Sequence, residues 1–443
     1  MALRSRSIVL AALGGSALFS CFSLTSAEAQ EALQNSIRQS QNLKTRSAAY
    51  QQGDYNLKLG PVDLKTSAGM SVSYTDNVHN TGDGSQLSTG NGKKSDFYIT
   101  PNARIGAIWQ VTELNRLDAG VSFGYNKYAD NSQLDRAFVT PDADSQISYD
   151  FFVSIFRFNI HDSFSYTQDV YRYGQIYGVG NFGALRNTAG VSSSWALKDM
   201  VFSVGYDYGI VRYPKRSFDQ PGLGLNASVP FSQSDNNQQM LFARGGYMID
   251  TTLQVGLETS AAFTTYDGTF RNDNQNYTVG PFLEWAITQN LSVTARGGMN
   301  TYKVDSKGSI NDSSTPGGLY ASVDVNHKLN DKFSHSLSAG QRTTQGLGLG
   351  GNFLSTTYVR YTPTYRLFEH VAVNVSGGYE TSTDSSRFYK DDFDQYSATA
   401  GMSYELIKNL STSLNYQFHE RSSSQPGRSY QANVITLSAV YHF

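Results

Sequence analysis

Cysteine is all but missing, with Cys21 the only one in 443 residues. A disulfide framework and a cysteine-built metal centre are therefore excluded. Proline is scarce, at 10 residues, so long extended segments can run without losing ladder donors. Neither sign of charge is in excess: 35 Lys and Arg stand against 37 Asp and Glu. A nucleic-acid partner has no basic stripe to bind. Beyond the N-terminal region no run of about 18 apolar residues exists, which excludes a membrane-spanning helix. The apolar fraction, 39%, is below the ~45–50% of ordinary soluble domains.

What is present begins with a secretory leader. Arg4 and Arg6 supply a positive start, Ile8 to Leu18 an apolar stretch, and Ala27-Glu28-Ala29 a cleavage site, so residues 1–29 read as a signal peptide and the processed chain starts at Gln30. Leu18-Phe19-Ser20-Cys21 has the outline of a lipidation site, but bulky Phe19 suits it poorly. Residues 30–61 are polar and rich in Gln, Asn and Ser, too short to bury a core. They read as a periplasmic tail, with a small plug in a barrel mouth as the alternative.

From Val62 the chain alternates. Val62, Leu64, Thr66, Ala68, Met70, Val72 and Tyr74 share one face; Asp63, Lys65, Ser67, Gly69, Ser71, Ser73 and Thr75 share the other. A period of two over more than a dozen residues exceeds a globular strand and suits a tilted membrane strand. The pattern repeats in 291–300 and 410–419. Tight turns are expected near 112–115, 161–162, 198–199, 250–251, 289–290, 330–331, 369–370 and 408–409. Longer loops are expected near 79–94, 131–144, 171–184, 214–236, 268–275, 305–316, 346–353, 386–394 and 421–429. This rhythm predicts an all-β, transmembrane, antiparallel up-and-down β-barrel over residues 62–443, of about eighteen strands, with both termini in the periplasm. Sixteen is the alternative, because Phe151, Phe152, Ile155, Phe156 and Phe158 are apolar on both faces. Tyr74, Trp109, Tyr125, Tyr128, Tyr206, Tyr208, Trp285, Tyr416 and Phe418 suit aromatic girdles. The chain ends on an alternating strand, Tyr430 to Phe443, whose terminal Tyr441 and Phe443 suit a closing strand presented to barrel-assembly machinery.

In a barrel of this size the oily face points to lipid and the wet face lines the lumen. By phase the lumen candidates are Arg104, Arg244, Arg296, Arg360 and Arg366 with Glu258, Glu284, Asp324, Glu380 and Glu405; Asp118 shares that phase. Arg or Lys on the lipid side at mid-depth would cost about 2–4 kcal/mol. Facing arginines and carboxylates would either set a transverse field in a pore or satisfy one another. Catalysis is not expected: the seven histidines are scattered, and His419, Glu420 and Ser422 do not share a strand face. No zinc-type spacing occurs, Asp391-Asp392 reads as solvated loop charge, and no cofactor is expected.

The segment Gly69 to Val78, with Tyr74, Asp76 and Asn77 at its end, and the terminal aromatic resemble the family called putative beta-barrel porin 2. The segment is also similar to the start of outer-membrane barrels of exopolysaccharide biosynthesis. The resemblance implies an outer-membrane barrel, and brings no catalytic or binding motif. The expected function is passive passage of small polar solutes, with export or assembly of exopolysaccharide as the alternative. Outer-membrane lipid is the expected surrounding, and the sequence names no oligomeric state.

Overall fold

The computed structural model describes residues 57–82, 93–139, 146–167, 183–213, 217–218, 229–230, 234–269, 271–305, 317–346, 353–385 and 390–443. The expected leader, 1–29, and all but the end of the expected tail, 30–61, lie outside them, as does Cys21. Leu57–Leu59 pairs with the start of the first long strand.

Eighteen strands make the wall. They are β1 (Val62–Thr75), β2 (Asp96–Gln110), β3 (Arg116–Tyr128), β4 (two pieces, Arg136–Val139 and Gln146–Val153), β5 (Phe156–Thr167) and β6 (Ala184–Leu197). Next come β7 (Met200–Arg212), β8 (Asn236–Met248), β9 (Leu253–Tyr266), β10 (Asn274–Thr288), β11 (Leu291–Val304) and β12 (Gly317–Lys328). The last six are β13 (Phe333–Gln345), β14 (Phe353–Phe368), β15 (Val371–Asp384), β16 (Asp392–Ile407), β17 (Leu410–Ser423) and β18 (Tyr430–His442). Each pairs antiparallel with its neighbours in sequence, and β18 returns to pair with β1 from Ser67↔His442 to Thr75↔Val434.

Following the register once around the wall returns to β1 displaced by twenty-two residues. With the ordinary strand spacing and rise, that stagger fixes a tilt of about 40° and, for a circular section, a backbone radius of about 18 Å. Such a wall is too wide for side chains to fill from one layer. Eight connections of two to five residues join strands at one end, where β1 starts and β18 ends, and nine of six to twenty-three residues join strands at the other.

The alternation read from the sequence is the alternation of the wall. On β8, Gln238, Met240, Phe242 and Arg244 are buried inward while Gln239, Leu241 and Tyr247 are exposed outward. Met70, Val72, Ile105, Leu257, Met299, Leu319 and Leu437 lie outward and exposed, as a lipid-facing belt requires. Trp109, Trp285, Tyr404 and Tyr441 lie outward near the turn end and Tyr125 and Tyr208 toward the loop end, while Tyr206, also outward, sits at the midpoint of β7. Tyr128 does not join them: it faces inward and packs on Tyr98, with centroids 4.9 Å apart.

Several expected boundaries move, Asp392–Asp394 at the start of β16 and Asn274–Gln275 at the start of β10 among them. His161 and Asp162 lie in the middle of β5 and form no turn; the tight turn is Ser154-Ile155, with Ser154 in the left-handed region at φ 57°. Aromatics on both faces of 151–158 hide the phase, and a His-Asp pair mimics turn chemistry. Residues 136–139, expected in a loop, form the first piece of β4. Its pairing with both neighbours slips by four residues before the second piece, which keeps the inward phase. Arg421–Ser423, a polar run expected in a loop, completes β17.

The lumen is not uniform along its axis. Inward residues near the turn end, such as Ser292, Arg366 and Glu405, are exposed, whereas those near the loop end, such as Thr75, Asp96, Gln238, Asn276 and Thr344, are buried. Bonds between non-adjacent strands account for part of this. Tyr266 Oη on β9 donates to Gln345 Oε1 on β13 at 2.8 Å, and Gln345 Nε2 donates to Thr264 Oγ1 at 2.8 Å. Tyr302 on β11 donates to the Thr343 carbonyl and packs on Phe353 of β14, centroids 4.4 Å apart. The wall therefore curls tightly over β9–β14 and narrows the loop-side opening.

The curl needs close strand approach at Gly280 on β10 and Gly298 on β11. A Cβ on Gly280 would meet the Gly297 carbonyl oxygen at 2.0 Å and the Tyr320 hydroxyl at 2.7 Å. Because the first neighbour is backbone, Gly280→Ala should destabilise the barrel by about 1–3 kcal/mol. A urea titration in detergent checks this; an unchanged midpoint would contradict the close approach.

Candidate functional site

The lumen faces of β8 to β15 carry a belt of charged groups at neighbouring heights. Arg296 NH1 on β11 lies 2.8 Å from Glu258 Oε2 on β9, and Arg296 NH2 lies 3.5 Å from Glu284 Oε1 on β10. Arg244 on β8 donates to the same Glu284 oxygen, and its guanidinium stacks 3.7 Å above the Phe282 ring. Four strands thus bring two arginines and two glutamates into one ladder, with side chains 0–14% exposed. Period-two alternation alone puts all four on the inner face, and the register sets their heights.

The belt continues. Asp324 on β12 accepts from Ser338 Oγ at 2.6 Å. Arg342 on β13 lies 3.8 Å from Glu380 on β15 and stacks 4.7 Å over Tyr358 on β14. Arg360 faces the lumen opposite Ser338, and Arg104 does so opposite Ser67. Arg366 and Glu405 stand apart at the turn end, where Glu405 meets His370 at 3.4 Å and both are more than half exposed. The structure thus joins Arg244, Arg296, Glu258 and Glu284 directly, extends the belt through Asp324 and Glu380, and leaves Arg366 and Glu405 outside it.

Sequence reading passed over a second set on β4, β5 and β7. Asn159 Nδ2 donates to Ser148 Oγ and to Asp150 Oδ1, both at 2.8 Å, and Arg157 NH2 donates to Asp150 at 3.0 Å. The His161 ring places its nitrogens 2.9 Å from Asn159 Oδ1 and 3.1 Å from Asp207 Oδ1. The misplaced turn concealed this set. Correct phasing from Ser148, Asp150, Asn159 and Ser163 would have found it. Arg342 was also passed over, although its phase is that of Ser338.

The elements singled out at the ends of the barrel, Tyr74 to Asn77 and the last strand, meet at the seam. Asp76 accepts from the Asn433 backbone N–H at 2.7 Å and from Asn433 Nδ2 at 2.8 Å. Asn77, fully buried, donates to the Gln431 carbonyl at 2.7 Å and the Thr81 carbonyl at 2.8 Å, and accepts from the Thr81 N–H. Tyr74 faces outward against Phe97, centroids 4.8 Å apart. At the other end the Phe443 N–H donates to the Thr66 carbonyl, and the Tyr441 and Phe443 rings meet edge to face at 5.3 Å. Asp391, expected as solvated loop charge, is instead buried between Arg421 and Arg428, at 2.8 and 3.1 Å.

A family model described as putative beta-barrel porin 2 matches residues 333–443, which are β13 to β18, and the chain resembles that family. Among solved structures it is similar to OpdK of Pseudomonas aeruginosa, crystallised with vanillate, at 11% identity over 86% of this chain and 99% of that one, with a TM-score of 0.45. It is also similar to OccAB3 of Acinetobacter baumannii, at 11% identity over 86% and 99% with a TM-score of 0.46. The outer membrane channel DcaP of Acinetobacter baumannii gives 12% over 88% and 100% with a TM-score of 0.44. No curated protein matches significantly.

Two expected outcomes follow from this geometry. Glu258→Ala leaves the Arg296 guanidinium with only the longer contact to Glu284, and should lower stability by about 3 kcal/mol. The double variant Glu258→Leu with Arg296→Met should recover most of it, as read by urea midpoints. The second concerns the loop after β1. Burial holds the His79 imidazole below its usual value, the Lys94 ammonium lowers it further, and Asp96 opposes. Its proton is then taken first by the open loop, so the loop is most stable above pH about 6.5 and loses stability as pH falls below it. Hydrogen exchange at residues 77–81, corrected for intrinsic rates, should quicken below that pH, and His79→Gln should abolish the dependence.

Proposed function

We propose that this chain forms a pore in the outer membrane that gives small polar solutes passive passage. The observation that carries the reading is the pairing of an apolar outer face with a lumen lined by Ser, Thr, Asn and a charged belt. Lipid solvates the first and water the second, and the solute gradient supplies the driving force. In this reading the turn end and both termini face the periplasm, and the loop end faces outward. Tyr441 and Phe443, outward and 42% and 56% exposed, present the last strand to assembly machinery. The chain supplies a path and no reaction, so it is read as a non-enzyme.

The belt sets the selectivity expected. Arg244, Arg296, Arg342 and Arg360 are matched by Glu258, Glu284, Asp324 and Glu380, so the lumen carries strong local fields and little net charge. Weak ion preference with appreciable sieving follows. Export of polysaccharide would call for exposed sugar-stacking rings along the path. The inward rings of Phe282 and Tyr320 are 3% and 5% exposed, which favours the solute pore.

Single-channel recording of the refolded barrel in a planar bilayer tests the reading, with Arg296→Ala and Arg360→Ala as lumen probes. Stable steps with weak ion preference are expected, and the probes should change step size or ion preference. A demonstrably folded barrel that never conducts would overturn it.

A further inference from the structure

Histidines scattered along the sequence need not stay apart in the fold, and the β12–β13 hairpin brings two of them face to face. His327 and His335 are direct cross-strand partners. Both have the phase of the exposed Val323 and Leu337, so both point outward, at the turn end of the wall. His327 Nδ1 lies 3.0 Å from His335 Nε2, with the ring planes at 73° and the centroids 5.0 Å apart. Each residue is half-buried. The lumen and its charged belt lie on the other side of the wall.

The turn below the pair fixes its register. The Leu329 N–H donates to the Phe333 carbonyl at 3.0 Å, and Asn330 Oδ1 accepts from the Lys332 and Phe333 N–H groups at 2.9 and 2.8 Å. Lys328 Nζ donates to Asp331 at 2.7 Å across the same turn. The Phe333 and Tyr361 rings flank the His335 ring, with centroids 5.5 and 5.7 Å away. Two imidazole nitrogens are therefore held side by side before any ligand arrives, and a ligand that needs both meets little further ordering cost.

We propose that His327 and His335 are the two protein ligands of a divalent transition-metal site, of the copper or nickel type, on the outer wall. Imidazole nitrogens bind such ions at about 2.0–2.1 Å, so the 3.0 Å separation subtends about 95° at a metal. That is the cis angle of a square-planar or tetragonal site. Each neutral ring carries one N–H. The ring that donates in the hydrogen bond passes its proton through water to its own other nitrogen, which frees both facing lone pairs and releases no net proton. Among the described residues no group of three or more His, Cys, Asp or Glu is placed to hold a metal, so the remaining positions are open to water. A nitrogen-only pair selects against magnesium and calcium, which take oxygen ligands, and the affinity order of first-row ions puts Cu(II) first. The site is independent of the pore reading and holds whether or not the lumen conducts.

An amphipathic ring is at ease at a membrane surface, and a pair that serves only to bond to itself would bind no metal. Copper titration of the full, tag-free chain in mild detergent separates the two roles. One Cu(II) per chain is expected, half-saturated at micromolar metal, with an electron paramagnetic resonance spectrum showing coupling to two nitrogens. Excess Mg(II) should not displace it. His327→Gln and His335→Gln should each weaken binding at least tenfold. His370→Gln, whose ring stands beside Glu405 at the same end of the barrel, should leave it unchanged. Each variant is checked for the gel mobility of a folded barrel. If the folded wild type retained no copper after dialysis against micromolar metal, or His327→Gln retained as much as the wild type, the proposal would be overturned. So would copper lost in His370→Gln and kept in both other variants.

Discussion

Everything in this molecule depends on leaving no unpaired strand edge in hydrocarbon. Each backbone group left without a partner there costs several kcal/mol, and water cannot replace the bond. A wall of eighteen strands has no free edge only if β18 finds β1 in the right register. That pairing, Ser67↔His442 to Thr75↔Val434, joins segments more than 350 residues apart. The side chains at its loop end reinforce it, with Asp76 and Asn77 bonding across to Asn433 and Gln431. At its turn end the terminal residue itself bonds to Thr66.

Once closed, the stagger fixes tilt and radius, and these create a second problem. A section this wide leaves polar inner faces that must be hydrated or must satisfy one another. The chain does both, at different heights. Near the turn end the inner face is open to water. Toward the loop end the wall curls; at mid-wall Gly280 and Gly298 let β10 and β11 approach, and just on the turn side of them the Arg244–Glu284–Arg296–Glu258 ladder neutralises itself with side chains 0–14% exposed.

Much of this was legible in the residues because the governing period is two and membrane strands are long. Val62 to Tyr74, Leu291 to Met299 and Leu410 to Phe418 each declare an oily face, and the phase of Arg244, Glu258, Glu284 and Arg296 follows. Reading failed where that contrast fails. Phe151, Phe152, Phe156 and Phe158 put aromatic mass on both faces, so the turn slid from Ser154-Ile155 to His161-Asp162 and the Asp150–Asn159–His161–Asp207 set went unseen. Arg421 was read as loop because arginine followed by serines has no apolar partner in phase. Which inward charges pair depends on register and curvature across several strands, and no single segment encodes it. Arg366 and Glu405 share the phase of the belt and still lie outside it.

The most direct measurement is of the seam, by disulfide trapping between Ser71→Cys and Ser438→Cys, which the structure places opposite one another on the lumen face. Closure in this register predicts near-complete oxidation in the folded barrel, with its folded gel mobility retained. If that pair stayed reduced while Ser71→Cys closed instead with Thr436→Cys, the register would be shifted by two residues and the stagger, tilt and belt derived from it would be wrong.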